Sequence, residues 1–147
     1  MEGETVQART PPPEGPMSRP CPCQSKLTFD RCCQPFIDGK KLPEAPAQLM
    51  RSRFSAYALG KVQYLLTTTV AGEREKIDPI ELASYCKTVK CVGLKIVSTE
   101  QGGKDDTEGI VTFHASLQVN GKRHLHIEKS RFIREDGRWV YVDGETN

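Results

Sequence analysis

The sequence contains neither a long apolar run nor a segment typical of an export signal. No stretch reaches the roughly 18 apolar residues that a membrane-spanning helix requires. The opening residues, MEGETVQARTPPPEGP, lack the apolar core of a signal peptide, and Glu2, Glu4 and Glu14 argue against an Arg-rich transit peptide. We therefore expect a cytoplasmic protein without a membrane span, whose thiols stay mostly reduced.

The chain also lacks a strong excess of charge of either sign. It has 21 Lys and Arg residues against 19 Asp and Glu residues, which gives a formal net charge of +2 at pH 7. Residues 1–44 carry six basic and six acidic side chains, so this end does not form the positive surface that nucleic acids require. We therefore expect no direct binding of nucleic acid.

Recognisable catalytic motifs are missing as well. The sequence shows no nucleophile with an adjacent base, no phosphate-binding loop, no open metal site and no internal repeat. Its length of 147 residues suits one domain with its own core, with room for a small additional module. These absences favour a non-enzymatic protein.

Four of the six cysteines lie within residues 21–33, CPCQSKLTFDRCC. Cys21 and Cys23 are two apart, so an extended segment points both sulfur atoms to the same side. Cys32 and Cys33 can border one point if they open a helical turn, and the eight residues between the pairs allow a hairpin. Four thiolates at one point are the ligands of a closed structural zinc site. Redox-active thiols and simple packing remain alternatives, because the spacing is not the common C-x2-C pair.

Hydrophobic spacing predicts three helices in the first half of the chain. Apolar residues follow helical spacing from Glu44 until Gly60, which is a natural stop. A second, short helix begins near Val62. A third begins with Asp78 as N-cap and Pro79 at its first position.

The second half changes to a period of two, which predicts four strands. The strands lie near residues 92–99, 111–119, 124–133 and 139–143. The dipeptides NG at 120–121 and DG at 136–137 predict hairpin turns between the later strands. Helices followed by a meander of antiparallel strands indicate the α+β class, with the helices on one face of the sheet.

Two groups of residues resemble known families. The pattern C-P-C-x-S, Phe29 and C-C resembles the SEC-C motif, a zinc-binding module. The stretches LMRSRFSAYALGKVQYLL at 49–66 and SRFIREDGRWVYVDG at 130–144 resemble the YchJ family of small SEC-C proteins with an NTF2-like domain. The resemblance implies an NTF2-like cone, in which helices pack on a curved antiparallel sheet, preceded by a SEC-C zinc knuckle. It also implies one structural Zn²⁺ per chain, bound by Cys21, Cys23, Cys32 and Cys33.

The same resemblance divides the chain into three parts. We expect a disordered Pro-rich tail over residues 1–19, the SEC-C motif over residues 20–40 and the NTF2-like domain over residues 44–147. Met17 is a possible alternative start of translation. Cys86 and Cys91 lie outside the motif, and we interpret them as small buried hydrophobic residues.

A cone of this kind often leaves a pocket at its open end. The residues that can line it are Arg51, Arg53, Tyr57, His126, Glu128 and Trp139. On the third strand, His124, His126 and Glu128 share one face with Ser130. We favour a solvated polar face for this row. If the row faces the cone instead, His126 and Glu128 can form an acid/base pair.

Arg51 and Arg53 lie in a helix that is otherwise apolar. A guanidinium on a packed helix needs hydrogen-bond acceptors, because it cannot lose its charge. We favour a structural role, in which the two arginines join the helix to the sheet or to the thiolate cluster. Binding of an anionic ligand in the cone is the alternative.

Two classes of function follow from these observations. The favoured one is a non-enzymatic interaction module, in which the zinc knuckle binds a protein or ribosomal partner and the cone serves as the scaffold. The alternative is a small-molecule-binding enzyme that uses the cone as its active site, with His126 and Glu128 as candidates. A fold that hosts many functions does not decide between them.

Overall fold

The computed structural model describes residues 19–146. The predicted tail, apart from residue 19, and the alternative start at Met17 lie outside the described residues. Within them, no helix has the length and apolar character needed to span a membrane. A 3₁₀ turn over Phe29–Arg31 is followed by five helices and four strands. These are α1 (Gln34–Ile37), α2 (Pro46–Leu59), α3 (Val62–Thr67), α4 (Ala71–Arg74), α5 (Pro79–Thr88), β1 (Val89–Gln101), β2 (Glu108–Val119), β3 (Lys122–Glu135) and β4 (Arg138–Thr146).

The three predicted helices correspond to α2, α3 and α5, and local chemistry explains their ends. Gly60 ends α2 in the left-handed conformation, with φ at 72°, which glycine adopts without steric cost. The Asp78 side chain caps α5 by accepting a hydrogen bond from the amide of Ile80 at 2.9 Å. The short helices α1 and α4 have four residues each, too few for a periodic signal in the sequence.

The four strands form one antiparallel sheet in the order β1-β2-β3-β4. Asn120 and Gly121 both have positive φ, at 52° and 78°, and Asp136 and Gly137 do the same at 55° and 80°. This pattern is the one that a two-residue hairpin turn requires, so both predicted turns are confirmed.

One irregularity of register changes which residues of β4 share a face. Arg131 pairs with Asp143, but Phe132 pairs with Tyr141, so one extra residue of β4 bulges out between them. Strict alternation along β4 would place Tyr141 and Asp143 on one face. The bulge separates them: Tyr141 joins the face that carries Phe132, while Asp143 stays exposed and forms a salt bridge with Arg131 at 3.1 Å.

The core lies between α2 and one face of the sheet. Its fully buried residues include Leu49 and Phe54 from α2 and Val111, Phe132 and Trp139 from the strands. The helices thus pack on one face of an antiparallel sheet, as the α+β prediction stated. The N-terminal segment over residues 20–40, called the cysteine module below, contributes to the same core cluster. Its residues there are Phe29, Cys21, Cys23 and Cys33. The module and the sheet therefore share one core instead of packing separately.

Candidate functional site

The four clustered cysteines meet at one point. Their sulfur atoms all lie within 4.8 Å of one another. Cys21, Cys23 and Cys33 are buried, and Cys32 is half-buried. A hairpin brings the two pairs together: the amide of Cys21 donates to the carbonyl of Leu27 at 2.9 Å, and the 3₁₀ turn follows directly.

Polar groups of the module and of α2 surround the sulfur atoms. Ser25 Oγ lies 3.1 Å from Cys32 Sγ, and Ser55 Oγ lies 3.4 Å from Cys21 Sγ. Arg51 Nη1 donates to the carbonyl of Cys23 at 3.1 Å and lies 3.8 Å from its sulfur atom. The hydroxyl hydrogens and the guanidinium can stabilise negative charge on the thiolates.

The thiols influence one another's ionisation. A hydrogen bond from Cys21 lowers the pKa of Cys23, whereas hydrogen bonding to Cys21 and Cys23 raises the pKa of Cys33. Burial raises the pKa of Cys32 to about 11. Four thiols at this separation cannot all ionise by themselves, because the negative charges repel. A bound cation would remove this repulsion, so the donor set fits a metal ion.

The remaining two cysteines do not join the cluster. Cys86 is buried at the end of α5, where it packs with Ala56 and Leu65. Cys91 is half-buried on β1, and burial raises its pKa to about 11. The interpretation as small buried hydrophobic residues therefore describes Cys86, whereas Cys91 is only half-buried.

A cavity of about 180 Å³ lies between α2, α5 and the inner face of the sheet. Four of the six predicted pocket residues line it, namely Arg53, Tyr57, His126 and Glu128. The apolar part of the wall is formed by Met50, Phe54, Val89, Cys91, Phe113, Ala115 and Leu117, and Tyr85 and Tyr141 complete the lining.

Two predicted pocket residues do not reach this cavity. Arg51 points from the other face of α2 to Cys23, because residues two apart on a helix project about 200° from each other. Trp139 is only 1% exposed, its indole N–H donates to the carbonyl of Glu44 at 3.2 Å, and Arg134 lies over its ring. It borders a separate hollow between α1, α3 and β4.

The polar row on β3 faces the cavity at His126 and Glu128, so the interpretation as a solvated face is wrong for Glu128, whereas His126 remains partly exposed, as that interpretation requires. Pairing of Ala115 with His126 and of Phe113 with Glu128 turns both polar side chains to the buried side of the sheet. The Glu128 side chain is 12% exposed and that of His126 is 37% exposed. The two side chains contact each other at the cavity, which is the placement that the acid/base alternative requires.

Glu128 is held by three side chains. His126 Nε2 lies 2.8 Å from Oε1, Ser130 Oγ donates to Oε2 at 2.5 Å, and the Tyr141 hydroxyl donates to Oε2 at 2.9 Å. Burial first, and the nearby carboxylate second, raise the pKa of Tyr141, so this hydroxyl keeps its proton and remains a donor. The network gives the cavity a fixed hydrogen-bond acceptor beside a histidine.

Ser130, Tyr141 and Gly144 belong to this site, although the sequence interpretation assigned them no role there. Gly144 is pressed against the carboxyl group of Glu128, and a Cβ atom at this position would overlap with it. A glycine inside a strand marks a bulge or the close approach of another group, but the predicted strand ended at residue 143, so this signal was missed for Gly144. The role of Tyr141 depends on the β4 bulge, which no local pattern indicates.

Arg53 is the second charged group of the cavity. It is 5% exposed, and its Nη1 donates to the carbonyl of Leu65 at 3.0 Å and to the hydroxyls of Thr68 and Thr69 at 2.7 and 3.3 Å. Its guanidinium carbon lies 4.7 Å from the centre of the Tyr141 ring. The prediction that an arginine of this helix bonds an internal carbonyl is confirmed for both Arg51 and Arg53.

Known proteins with similar sequences cover most of the chain. Residues 45–144 match the family model described as YchJ, middle NTF2-like domain, and residues 17–35 match that of the SEC-C motif. A UPF0225 protein from Actinobacillus succinogenes is 39% identical over 127 residues, which cover 86% of this chain and 82% of the relative. A UPF0225 protein from Chromobacterium violaceum is 42% identical over 125 residues, which cover 84% and 90%.

Two solved structures have the same fold. One is the solution structure of a SEC-C motif containing protein from Rhodopseudomonas palustris, with a TM-score of 0.79 and 30% identity over 86% of this chain and 98% of that one. The other is the crystal structure of a SEC-C motif containing protein from Psychrobacter arcticus, with a TM-score of 0.77 and 25% identity over 89% and 85%. The expected architecture, a SEC-C motif followed by an NTF2-like domain, is confirmed.

Proposed function

Because the chain belongs to the YchJ (UPF0225) family, with its SEC-C motif and NTF2-like domain, we propose that its cysteine module is structural and that its function lies in the cavity. The module holds one zinc ion, and the cavity binds a small molecule. The observation that carries this proposal is the Glu128 network, which lies in the wall of a cavity instead of on the protein surface.

The chemistry of the donors supports zinc as the metal. Four thiolates are soft ligands, which favour Zn²⁺, Cu(I) and iron–sulfur clusters over Mg²⁺ or Ca²⁺. Bound to Zn²⁺ they would carry a total charge of about −2, to which Arg51 and the two serine hydroxyls are complementary. All four positions are then filled by protein, so the site offers no place to a substrate.

Metal analysis of protein purified without chelators tests this assignment. We expect one zinc per chain, and we expect that each of the four single Cys→Ser variants in the cluster loses it. Cys86→Ser is the matched control, because it replaces a buried cysteine outside the cluster and should retain the metal. Iron, copper or no metal in the wild type would contradict the assignment.

The cavity has the size and the chemistry of a small-ligand site. Its volume of about 180 Å³ is comparable to cavities of about 150 Å³ that hold benzene in other proteins, so a ring-sized molecule fits. A carboxylate taken out of water costs free energy, and three donors keep Glu128 in one position within the wall. An apolar wall with a few fixed polar groups is the usual composition of a ligand pocket.

An NMR screen with ring-sized fragments tests whether the cavity binds ligands. We expect amide-shift changes around Tyr85, Leu117 and His126. The Ala115→Leu variant, which fills the cavity from β2, should abolish them. Ser116→Leu is the control, because its side chain projects from the opposite face of the same strand. Shifts confined to the cysteine module, or persisting in Ala115→Leu, would contradict the proposal.

The His126–Glu128 contact gives the same cavity a group that can move a proton. If Nε2 of His126 donates to Glu128, its Nδ1 is free to accept a proton from a bound molecule. A carbon acid such as acetophenone tests this activity. Wild-type protein in D₂O should catalyse exchange of the methyl hydrogens, and His126→Gln should not. Equal exchange by both proteins would leave the cavity as a binding site only.

A protein partner at the cysteine module is the second candidate function. Leu27, near the end of the module's hairpin, is 52% exposed and offers an apolar side chain to such a partner. Leu27→Ser should then weaken capture of a partner from lysate, whereas Leu125→Ser, which removes a similarly exposed leucine from the sheet, should not. Equal capture by both variants would exclude this surface.

A further inference from the structure

Arg53 is a buried cation that forms no salt bridge with any residue from 19 to 146. Its side chain approaches only neutral acceptors, in the last turn of α3 and in the two residues that follow it, and the face of the Tyr141 ring. A buried charge is usually paired, because removing an ion from water costs several kcal/mol. The unpaired charge therefore needs an explanation.

The guanidinium also has hydrogen-bond donors to spare. An arginine carries five N–H groups, of which Nη1 supplies two. The three hydrogen bonds of Arg53 within the described chain all come from Nη1, so Nε and Nη2 have no acceptor there. Because Arg53 lines the cavity, a bound molecule can supply the missing acceptor.

Glu128, the other charged group of the wall, is in the opposite situation. A carboxylate offers about four lone-pair sites, and three of them are used by His126, Ser130 and Tyr141. A cationic ligand would have to compete with these internal donors. The unused hydrogen-bonding groups of the cavity wall are therefore mainly the N–H donors of Arg53, which favour a ligand that accepts hydrogen bonds and carries negative charge.

The rest of the wall defines the body of this ligand. Met50, Phe54, Phe113 and Ala115 offer apolar contacts to a planar or aliphatic group. Beyond His126, the same row of β3 continues with the exposed His124 and Lys122. His124 pairs with Leu117, which lines the cavity, and Lys122 lies two residues further along the same face of β3, where its positive charge favours the approach of an anion.

We propose that the cavity binds a small organic monocarboxylate, with its carboxylate at the guanidinium of Arg53 and its apolar body against Phe54, Phe113 and Ala115. This inference rests on the proposed function, that the cavity is a ligand site. A ligand with a single negative charge is favoured over one with two, because Arg53 is the only arginine or lysine among the lining residues. Glu128 lies in the same wall, where it would repel a second negative charge. The two oxygen atoms of a planar carboxylate match the two free nitrogen atoms of the guanidinium, Nε and Nη2.

Three probes of equal size and different charge test the proposal on the full, zinc-loaded chain: benzoate, benzamide and benzylamine. Binding is measured by NMR titration. We expect benzoate to bind at least about tenfold more tightly than benzamide, because it gains a charge-assisted hydrogen bond, and benzylamine to bind most weakly. In the wild-type complex, intermolecular NOEs should join the benzoate ring to the Ala115 methyl group and the Phe54 ring.

Arg53→Met should reduce the benzoate preference to near unity, whereas Arg131→Met, an exposed arginine on the outer face, should leave it unchanged. If Arg53→Met does not fold, Arg53→Lys keeps the charge but loses the fork, and should lower the preference severalfold. Equal affinity for benzoate and benzamide, or a benzoate preference that survives Arg53→Met, would contradict the proposed monocarboxylate ligand but not the proposal that the cavity binds ligands. If none of the three probes binds and the fragment screen also finds no ligand, both proposals are wrong.

Discussion

The cysteine cluster and the cavity lie against opposite faces of α2, and they differ in how far their polar atoms are satisfied by the chain itself. Arg51 and Ser55, one turn apart, contact the cysteine segment, whereas Arg53 and Tyr57, also one turn apart, line the cavity. Four sulfur atoms converge on one point and form a closed donor set. In the cavity, by contrast, part of the Arg53 guanidinium has no acceptor among residues 19–146.

This difference separates a region that supports the fold from a region that is available to a ligand. A closed set of donors leaves nothing for another molecule to bind, so such a set serves the stability of the fold. An incompletely satisfied buried group lowers stability unless something else binds to it, and for that reason it marks a functional site. Changes on the cysteine side should therefore affect folding most, and changes on the cavity side should affect binding most.

The largest loss of stability is expected from Cys23→Ser. Cys23 is fully buried and belongs to the same core cluster as Phe54 and Trp139, so a change at this position, which would also remove a ligand of the proposed metal site, should reach the sheet. We expect the free energy of unfolding to fall by more than about 4 kcal/mol, measured by denaturant titration. Cys86→Ser, as the control, should lose only about 1 kcal/mol. Similar losses in both variants would contradict a special role of the cluster.

A smaller loss is expected when the two arginines are compared directly. Arg53→Met removes the donor to the Thr68 and Thr69 hydroxyls and to the carbonyl of Leu65, which keeps its hydrogen bond from the Thr69 hydroxyl, and should lower the free energy of unfolding by about 2 kcal/mol. Arg51→Met removes a half-buried guanidinium with one carbonyl partner and should cost less than about 1 kcal/mol. Denaturant unfolding of both variants shows which substitution lowers the free energy of unfolding more. An Arg53→Met variant as stable as the wild type would show that this arginine adds nothing to the fold.

Gly144→Ala sharpens the comparison on the cavity side. The added Cβ atom would overlap with the carboxyl group of Glu128, which must move away from its three partners. We expect a loss of about 1–2 kcal/mol and changed NMR chemical shifts of the His126 ring, which contacts Glu128. Gly93→Ala is the control, because it also lies in a strand but its new Cβ atom meets nothing within 4 Å. Unchanged His126 ring shifts in Gly144→Ala would contradict the described contact.

The smallest effect at neutral pH is expected from Tyr64→Phe, which removes a hydroxyl 2.6 Å from Ser52 Oγ. Burial raises the pKa of Tyr64 to about 12, against about 10 in an unfolded chain. The folded state thus holds its proton more tightly, so the stabilisation is fully present below about pH 10 and is lost as the pH rises toward 12. Wild-type stability should fall more steeply than that of Tyr64→Phe across this window. Parallel curves would place Tyr64 in water.

Features that depend on neighbouring residues could be predicted from the sequence. The cysteine spacing, the Asp78 cap, the Gly60 stop and the two hairpin turns each follow from a few adjacent side chains. Alternation along β2 also assigned Val111, Phe113 and Ala115 to the buried face. These signals are local, and each has one dominant physical cause.

The cavity depends on contacts between distant residues, and for that reason it was only partly predictable. A polar row on β3 has the same appearance whether its face is solvated or buried, and the register with β2 decides between them. The pairing of Tyr141 with Phe132 requires the β4 bulge, which no periodicity indicates. Arg51 and Arg53 are equivalent in sequence, and only the rotation of α2 assigns one to the thiols and the other to the cavity.

That rotation of α2 has a consequence for protein engineering. Insertion or deletion of one residue before Arg51 would rotate the two arginines by about 100° around the helix axis. Arg51 would then turn away from Cys23, and Arg53 would turn away from the cavity. The helix therefore has one acceptable register, and it serves both regions. A chimera that takes its SEC-C motif from another protein would therefore have to exchange residues 20–59, the motif together with α2, as one unit. The boundary between the two sequence motifs is not a boundary at which this protein can be recombined.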